Sequence, residues 1–298
     1  MRRLNHLGKR MVLAMTLALL GTLAACTFVR VAYNNADTAI RVMAQDYFDL
    51  WNEDNSELRA QIAQLHEWHR LQEMPLYAAI MQSAAGKVEA GLTKADIGWA
   101  MVQGRERYRA LVVHAADLAA PLLIKLGPDH HAALARKMAS NNAKFAKEFL
   151  GDDPRERERA RVKRLTGNIE DWTGPLTDAQ KARIVTSVRA FPRMYELQLE
   201  SRQARQQELL SILRRDRSVV ELAPALRAYF LDWELRRGAE YRRMAADWEA
   251  QLTLLLLDLD RTLTPEQRRH AVKRLAQFAE DFRFLAGSKA PAAENVKP

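Results

Sequence analysis

The spacing of apolar residues is the feature that most restricts the fold of this chain. Apolar side chains recur every three or four residues along most of it, and runs of alternating β-branched residues bounded by turns, which mark strands, do not occur. Its 298 residues include only 12 glycines and 10 prolines, too few for a fold rich in loops. We therefore predict an all-α fold class, a bundle of long antiparallel helices.

Caps and helix breakers divide the chain into separate helices. A Thr93–Asp96 capping box precedes one helix, and Pro75, Gly151 and Gly174 end or bend others. The predicted helices cover residues 36–50, 56–75, 76–89, 94–127, 128–150, 154–172, 178–217 with a bend at Pro192, 219–260 with a possible bend near Pro224, and 265–287. We expect the tail, residues 287–298, to be disordered.

Four predicted helix starts share one pattern: a leucine, a small capping residue, an acid in the first turn and then a single apolar face. The leucines are Leu50, Leu126, Leu176 and Leu263. The spacing from Leu50 to Leu126 resembles that from Leu176 to Leu263, which suggests two related helical halves, about 36–151 and 154–286. The alternative is that capped amphipathic helices simply look alike, and the pattern leaves both interpretations open.

The N-terminal segment resembles a bacterial lipoprotein signal. Four basic residues among the first ten precede an uncharged run over residues 11–23, which is shorter than the roughly 20 residues of a spanning helix. The run ends in a sequence similar to a lipobox: Leu23, Ala24, Ala25 and Cys26. We expect a signal peptide over residues 1–25, a lipid-modified Cys26 and a periplasmic domain over residues 26–286. By resemblance to lipoprotein sorting, Thr27 in place of an aspartate favours the outer membrane, with the lipid anchor making the membrane itself a partner.

Charge narrows the range of other partners. The formal net charge is +9, and removing residues 1–25 leaves 42 basic against 37 acidic residues, or +5. Residues 26–150 carry 14 of each sign, so the positive excess belongs to residues 151–298. An excess of this kind favours anionic envelope components. We expect a protein, glycan or lipid partner in the envelope and no nucleic acid.

Three segments resemble a family of uncharacterised proteobacterial lipoproteins. They are "AYNNAD", "DYFDL" and "LHEWHRLQEMPLYAA", and the similarity extends through the segment at residues 140–150. The resemblance implies an all-α domain after a lipobox and brings no activity with it. The family-like motif residues are Tyr33, Asn34, Asn35, Trp68, His69, Arg70, Glu73, Pro75 and Tyr77.

A metal site is the one cofactor hypothesis that the motif region raises. His66, His69 and Glu73 are three and four residues apart, so a regular helix would present all three on one face. Histidine and carboxylate are zinc ligands, but three such residues leave a site incomplete, and of the adjacent pair His130–His131 at most one could join. The alternative places Trp68 in the core and the histidines in a polar groove. We predict no cofactor.

Function is the least constrained property of the sequence. It contains no Gly-x-Ser-x-Gly motif, phosphate-cradling glycine loop or second cysteine. An aromatic stripe over residues 229–248 fits either a core or a ligand groove. Our leading hypothesis is a lipid-anchored, non-enzymatic binding or envelope-maintenance module. The alternative is a chaperone-like holdase, because the Leu-Thr-x-x-Gln starts at Leu176 and Leu263 look like those of periplasmic stress chaperones. A metal-dependent enzyme is less favoured.

Overall fold

A computed structural model describes residues 29–51, 53–215, 218–232 and 236–288, and every regular element in these ranges is helical. Residues 29–34 are helical and precede α1. The helices are α1 Ala36–Phe48, α2 Ser56–Trp68, a π turn His69–Glu73, α3 Met74–Ala90, α4 Lys94–Leu123, α5 Pro128–Phe149, α6 Pro154–Thr173, α7 Asp178–Ala190, α8 Tyr195–Arg214, α9 Val219–Leu231, α10 Ala239–Thr262 and α11 Pro265–Gly287. The predicted all-α bundle is confirmed. The predicted signal peptide, the lipobox with Cys26, and the tail beyond Ser288 lie outside the described residues.

The predictions of single helices over residues 178–217 and 219–260 are wrong, because each of these segments forms two helices. The chain leaves the helical conformation at Phe191, which precedes Pro192 and adopts the extended backbone that proline imposes on its predecessor. Phe191 and Met194 are both buried, so this break is anchored in the interior. The second division follows Leu231, and Gly238 caps the new helix α10. Pro224, in contrast, lies inside α9 without ending it.

Helices distant in sequence form the main packing layers. The most extensive helix contact joins α11 to α3, followed by α9 with α4 and α5 with α8. One buried core lies among α4, α5, α8 and α9 and includes Ala120, Leu134, Leu213 and Leu226. A second core joins α7 to α10 through Ile184, Val188, Leu255 and Leu259.

A buried ion pair fixes the end of α3 to the corner between α10 and α11. Asp260, only 6% exposed, accepts a hydrogen bond from the Leu92 backbone N–H at 2.9 Å. Arg268 pairs with the same carboxylate at 2.9 Å and donates to the Val88 carbonyl oxygen of α3. Helix α11 is thus bonded to α3 through Arg268 as well as packed on it, and Asp260 at the end of α10 is bonded to the residue that follows Gly91.

The two proposed halves are therefore not separate packing units. Helix α3 from the first half has its largest contact with α11 from the second, and α4 and α5 likewise pack on α9 and α8. Their origin by duplication stays a prediction.

The two Leu-Thr-x-x-Gln helix starts meet in the structure. Thr177 and Thr264 cap α7 and α11 as predicted, and Gln180 and Gln267 close a capping box at each start. The two glutamine amides are buried and hydrogen-bond each other in both directions, at 2.9 and 3.0 Å. Each also donates to a backbone carbonyl beside the other helix start, that of Thr262 or Pro175. In this chain the motif joins two helices.

None of the helices in the described ranges is long and apolar enough to cross a membrane.

Candidate functional site

The family-like motif contains a π turn. Residues His69–Glu73 connect α2 to α3, and the Met74 N–H donates to the His69 carbonyl oxygen five residues back. Pro75 lacks an N–H, and in a regular helix its ring would clash with the carbonyl of Leu71. The wider turn relieves this conflict. Of the two predicted outcomes at Pro75, an end or a bend, the structure shows no end, because helical backbone continues through the π turn into α3.

Arg70, in this turn, is among the most buried large side chains described, at 2% exposure. Its Nη1 donates to the Leu285 carbonyl oxygen at 3.1 Å and to Ser288 Oγ at 2.8 Å, and its Nη2 donates to Asn34 Oδ1 at 2.8 Å. The guanidinium carbon lies 5.1 Å from the centre of the Tyr33 ring. All these partners are uncharged. Arg70 thus clasps the segment before α1 and the end of α11 to the π turn.

An aromatic and histidine cluster surrounds the same segment. The Tyr33 hydroxyl lies 3.0 Å from His69 Nδ1, and the ring centres of Tyr33 and His66 are 4.6 Å apart. Tyr77 extends the cluster from His69, 5.6 Å away, to Phe282 on α11. Burial raises the pKa of Tyr33 to about 12 and lowers the pKa of His69 to about 4. At neutral pH Tyr33 and His69 are therefore both uncharged, and a single hydrogen bond joins them.

His66 adds a buried polar atom to this cluster. Burial, and next the charge of Arg70, lower the pKa of His66 below its usual value. Its Nε2 is buried and has no hydrogen-bond partner among the described residues. The ring contributes packing against Tyr33.

Glu73 faces a different neighbour from the two histidines. It is 3% exposed and accepts hydrogen bonds from Arg107 of α4 at 3.2 and 3.3 Å. The expectation that His66, His69 and Glu73 share one face assumed regular α-helical spacing, which the π turn alters. In the described ranges no group of three His, Cys, Asp or Glu residues could hold a metal ion. The metal hypothesis thus gains no support from the geometry.

The remaining motif residues lie at the margins of the cluster. Trp68 stacks on His114 of α4 with ring centres 4.2 Å apart. Asn35 is exposed and donates to the Val31 carbonyl oxygen within its own segment, and Pro75 is exposed at the start of α3. The motif therefore has a buried centre, formed by Arg70, Glu73 and the residues around Tyr33, and an exposed border.

Sequence reasoning missed several partners of the motif. It missed Arg107 and His114. It also missed an ion pair outside the motif between the same two chain segments that Arg70 joins: Arg30 pairs with the buried carboxylate of Asp281 at 2.7 Å and lies 4.0 Å from the Phe284 ring centre. Burial raises the pKa of Asp281 more than the Arg30 charge lowers it. Arg30 and Asp281 are 251 residues apart, and no local pattern in the sequence indicates such a pairing.

The fold and this cluster define an all-α protein in which a buried polar cluster joins the two ends of the described chain. The chain belongs to DUF6279, a family of unknown function whose model matches residues 46–242. The match includes His69, Arg70, Glu73 and Tyr77 and excludes Tyr33 and Asn34. The predicted membership in an uncharacterised family is confirmed. No curated protein and no solved structure matches the chain.

Proposed function

We propose that this chain is a lipid-anchored periplasmic protein on the outer membrane, acting as a non-enzymatic binding or envelope-maintenance module. The basic start, the short apolar run and the lipobox-like residues before Cys26 support the anchor, and Thr27 supports the outer membrane. A single acyl chain gives only marginal membrane binding, so the multiple acylation typical of such cysteines would hold the protein stably.

The observation that carries the proposal is the fixed position of the segment after Cys26. Val29, three residues further on, already belongs to the helical segment 29–34, and Asn34 is hydrogen-bonded to buried Arg70. Three residues span at most about 10 Å. A lipid on Cys26 would therefore keep the helical body beside the bilayer, with no long linker between them.

The state of the polar residues supports a non-enzymatic role. Catalytic acids, bases and nucleophiles need access to substrate at a suitable protonation state. Here Glu73 is buried in an ion pair with Arg107, and Arg70 is buried among carbonyl, amide and hydroxyl groups. The charged groups of the cluster thus make contacts within the chain that hold its helices together.

Lipidation is tested by labelling producing cells with an alkynyl fatty acid. We expect label on the wild type and on Asn35→Ala, a matched control beyond the lipobox, and none on Cys26→Ala. Equal labelling of Cys26→Ala would contradict the proposal. Membrane fractionation tests the location: wild type should sediment with the outer membrane and Thr27→Asp with the inner membrane.

A further inference from the structure

A groove separate from the Arg70 cluster lies among α6, α7 and α8. It consists of two adjoining cavities, of about 150 and 230 Å³, that share Arg161, Val188 and Tyr195 as lining residues. Their combined volume lies at the lower end of the range of about 300–1,000 Å³ that is usual for small-molecule sites. The groove follows the break between α7 and α8, where Phe191 and Met194 anchor the chain.

One end of the groove is cationic. Four arginines line it against two glutamates: Arg157, Arg161, Arg189, Arg193, Glu158 and Glu196. Arg157 pairs with Glu196 at 3.3 Å, and Arg189 pairs with Glu158 at 2.8 Å. Arg161 donates to the Val188 carbonyl oxygen at 3.2 Å, and neither it nor Arg193 has a carboxylate partner among the described residues. The positive charges of these two guanidinium groups are thus not balanced by a neighbouring carboxylate. A guanidinium can bind an oxyanion through two parallel hydrogen bonds.

The other end is aromatic and carries amide groups. Trp248 is 39% exposed and meets Phe191 edge to face, with ring centres 5.9 Å apart. Tyr195 lies between this end and the arginines, and Asn168 and Gln198 add amide side chains to the lining. Aromatic surfaces pack against the apolar faces of sugar rings, and amides can donate to and accept from hydroxyl groups.

We propose that the groove binds an acidic saccharide, a sugar unit that carries a phosphate or carboxylate group. The oxyanion lies between Arg161 and Arg193, and the sugar ring packs against Tyr195 and Trp248. The positive charge excess of residues 151–298 favours an acidic ligand of this kind. The proposal rests on the binding role proposed above and specifies its ligand class.

The test titrates the purified full chain, in a detergent without a sugar headgroup, with glucose 6-phosphate, glucuronate, glucose and inorganic phosphate. We expect at least one of the two acidic sugars to bind at least tenfold more tightly than glucose or phosphate. The double variant Arg161→Ala/Arg193→Ala should lose this binding. The double variant Arg155→Ala/Arg159→Ala, which removes two exposed arginines of the same helix outside the groove, should keep it.

A second variant separates the two ends. Trp248→Ala should weaken binding of the acidic sugar at least fivefold and leave that of inorganic phosphate unchanged. The assignment is overturned if neither acidic sugar binds more tightly than glucose and inorganic phosphate. Unchanged binding in Arg161→Ala/Arg193→Ala would also overturn it. Circular dichroism melting of each variant checks that the fold is intact.

Competition identifies the source of the saccharide. A lipopolysaccharide core oligosaccharide would displace the probe through phosphate groups, and a peptidoglycan fragment through carboxylates. Displacement by either supports the proposal, and displacement by neither contradicts it. The titration does not depend on the lipid: loss of the proposed anchor appears only in the fatty-acid labelling, and loss of the saccharide site appears only in the titration.

Discussion

Arg70 is a permanently charged side chain held almost out of solvent by uncharged partners. Burial of an arginine guanidinium in a protein requires that its N–H donors be satisfied. Three hydrogen bonds and the face of Tyr33 meet most of this requirement, although the buried Nε has no partner among the described residues. The cost of burying this charge is offset only while residue 34 and residues 285–288 stay in place.

Replacing Arg70 should therefore loosen both ends of the described chain. We expect Arg70→Ala to lower the free energy of unfolding by about 2–4 kcal/mol, because it leaves buried acceptors unsatisfied and removes packing. Arg70→Lys should recover little, since an ammonium lacks the planar fork that reaches Asn34 and Leu285 together. Urea unfolding followed by tryptophan fluorescence measures both. The control is Arg59→Ala at an exposed position, whose free energy of unfolding should lie within about 0.5 kcal/mol of wild type. If Arg59→Ala destabilised the protein as much as Arg70→Ala, the hydrogen bonds of Arg70 would not be the cause of its effect.

The depressed pKa of His69 makes stability depend on pH. The unfolded chain takes up the proton near the usual pKa of 6.5, whereas the folded chain does so only near 4. Stability is therefore complete above about pH 6.5 and falls as the pH drops towards 4, by as much as about 3 kcal/mol from this group.

The matching variant is His69→Phe, which cannot titrate. It should be less stable than wild type at pH 7 and lose less stability between pH 7 and pH 4.5. Urea midpoints at the two pH values measure the difference. His270→Gln, at an exposed position of α11, should keep the wild-type pH dependence. If His69→Phe lost as much stability between pH 7 and pH 4.5 as wild type, His69 could not be the source of the pH dependence.

At the scale of elements, the joined starts of α7 and α11 allow a sharper test than a single cap. We expect Gln180→Ala to cost about 2–3 kcal/mol, because it opens one capping box and removes both hydrogen bonds between Gln180 and the buried Gln267 amide, which keeps its bonds to Pro175 and Thr264. The loss of unfolding free energy in the double variant Gln180→Ala/Gln267→Ala should be about 1 kcal/mol smaller than the summed losses of the two single variants. Each single variant already loses both hydrogen bonds between the two glutamines, and the double variant loses them only once.

Chemical denaturation of the four proteins of this cycle measures the coupling. Gln203→Ala, at an exposed position of α8, should have almost no effect. Additive single effects would mean that the two caps act independently. The buried pair also bears on the holdase alternative, because the motif that suggested it has its polar groups occupied inside the protein.

The helix starts were the most predictable elements because a capping box is a local pattern. Thr93, Thr177, Thr264 and Ser218 each precede an observed helix at the expected residue. The π turn before Pro75 was not predictable, because the same residues also fit a simple helix end. The division after Leu231 was missed because the apolar spacing continues across it. Trp248 and Tyr229, taken as one stripe, consequently lie on two helices.

At the scale of the whole molecule, the family match is shorter than the packing unit. The model of the family ends at residue 242, within α10, yet α11 makes the most extensive contact with α3, and Leu255 and Leu259 complete the second core. We expect a fragment of residues 46–242 to lack a cooperative unfolding transition and a fragment of residues 29–288 to have one. Thermal circular dichroism compares them. A cooperative transition in the shorter fragment would contradict this expectation, because residues 46–242 would then fold stably without α11.

The candidate site was predictable only in its local part. The resemblance grouped Tyr33, His69 and Arg70, and these residues do meet. The other partners of Arg70 include Leu285 and Ser288, which lie at the opposite end of the described chain. Such pairs follow from how α11 packs along α3, and no spacing within one segment encodes that arrangement.

The Arg70 clasp also determines how a mechanical load passes through the molecule. A pull on the segment before α1, such as the proposed lipid would exert, reaches Arg70 through Asn34 and Tyr33 and passes directly to the last turn of α11. Neither hydrophobic core lies on this route. A membrane that bends or flows would therefore load the junction between the segment before α1 and the last turn of α11 before it loads the helices that line the proposed saccharide groove.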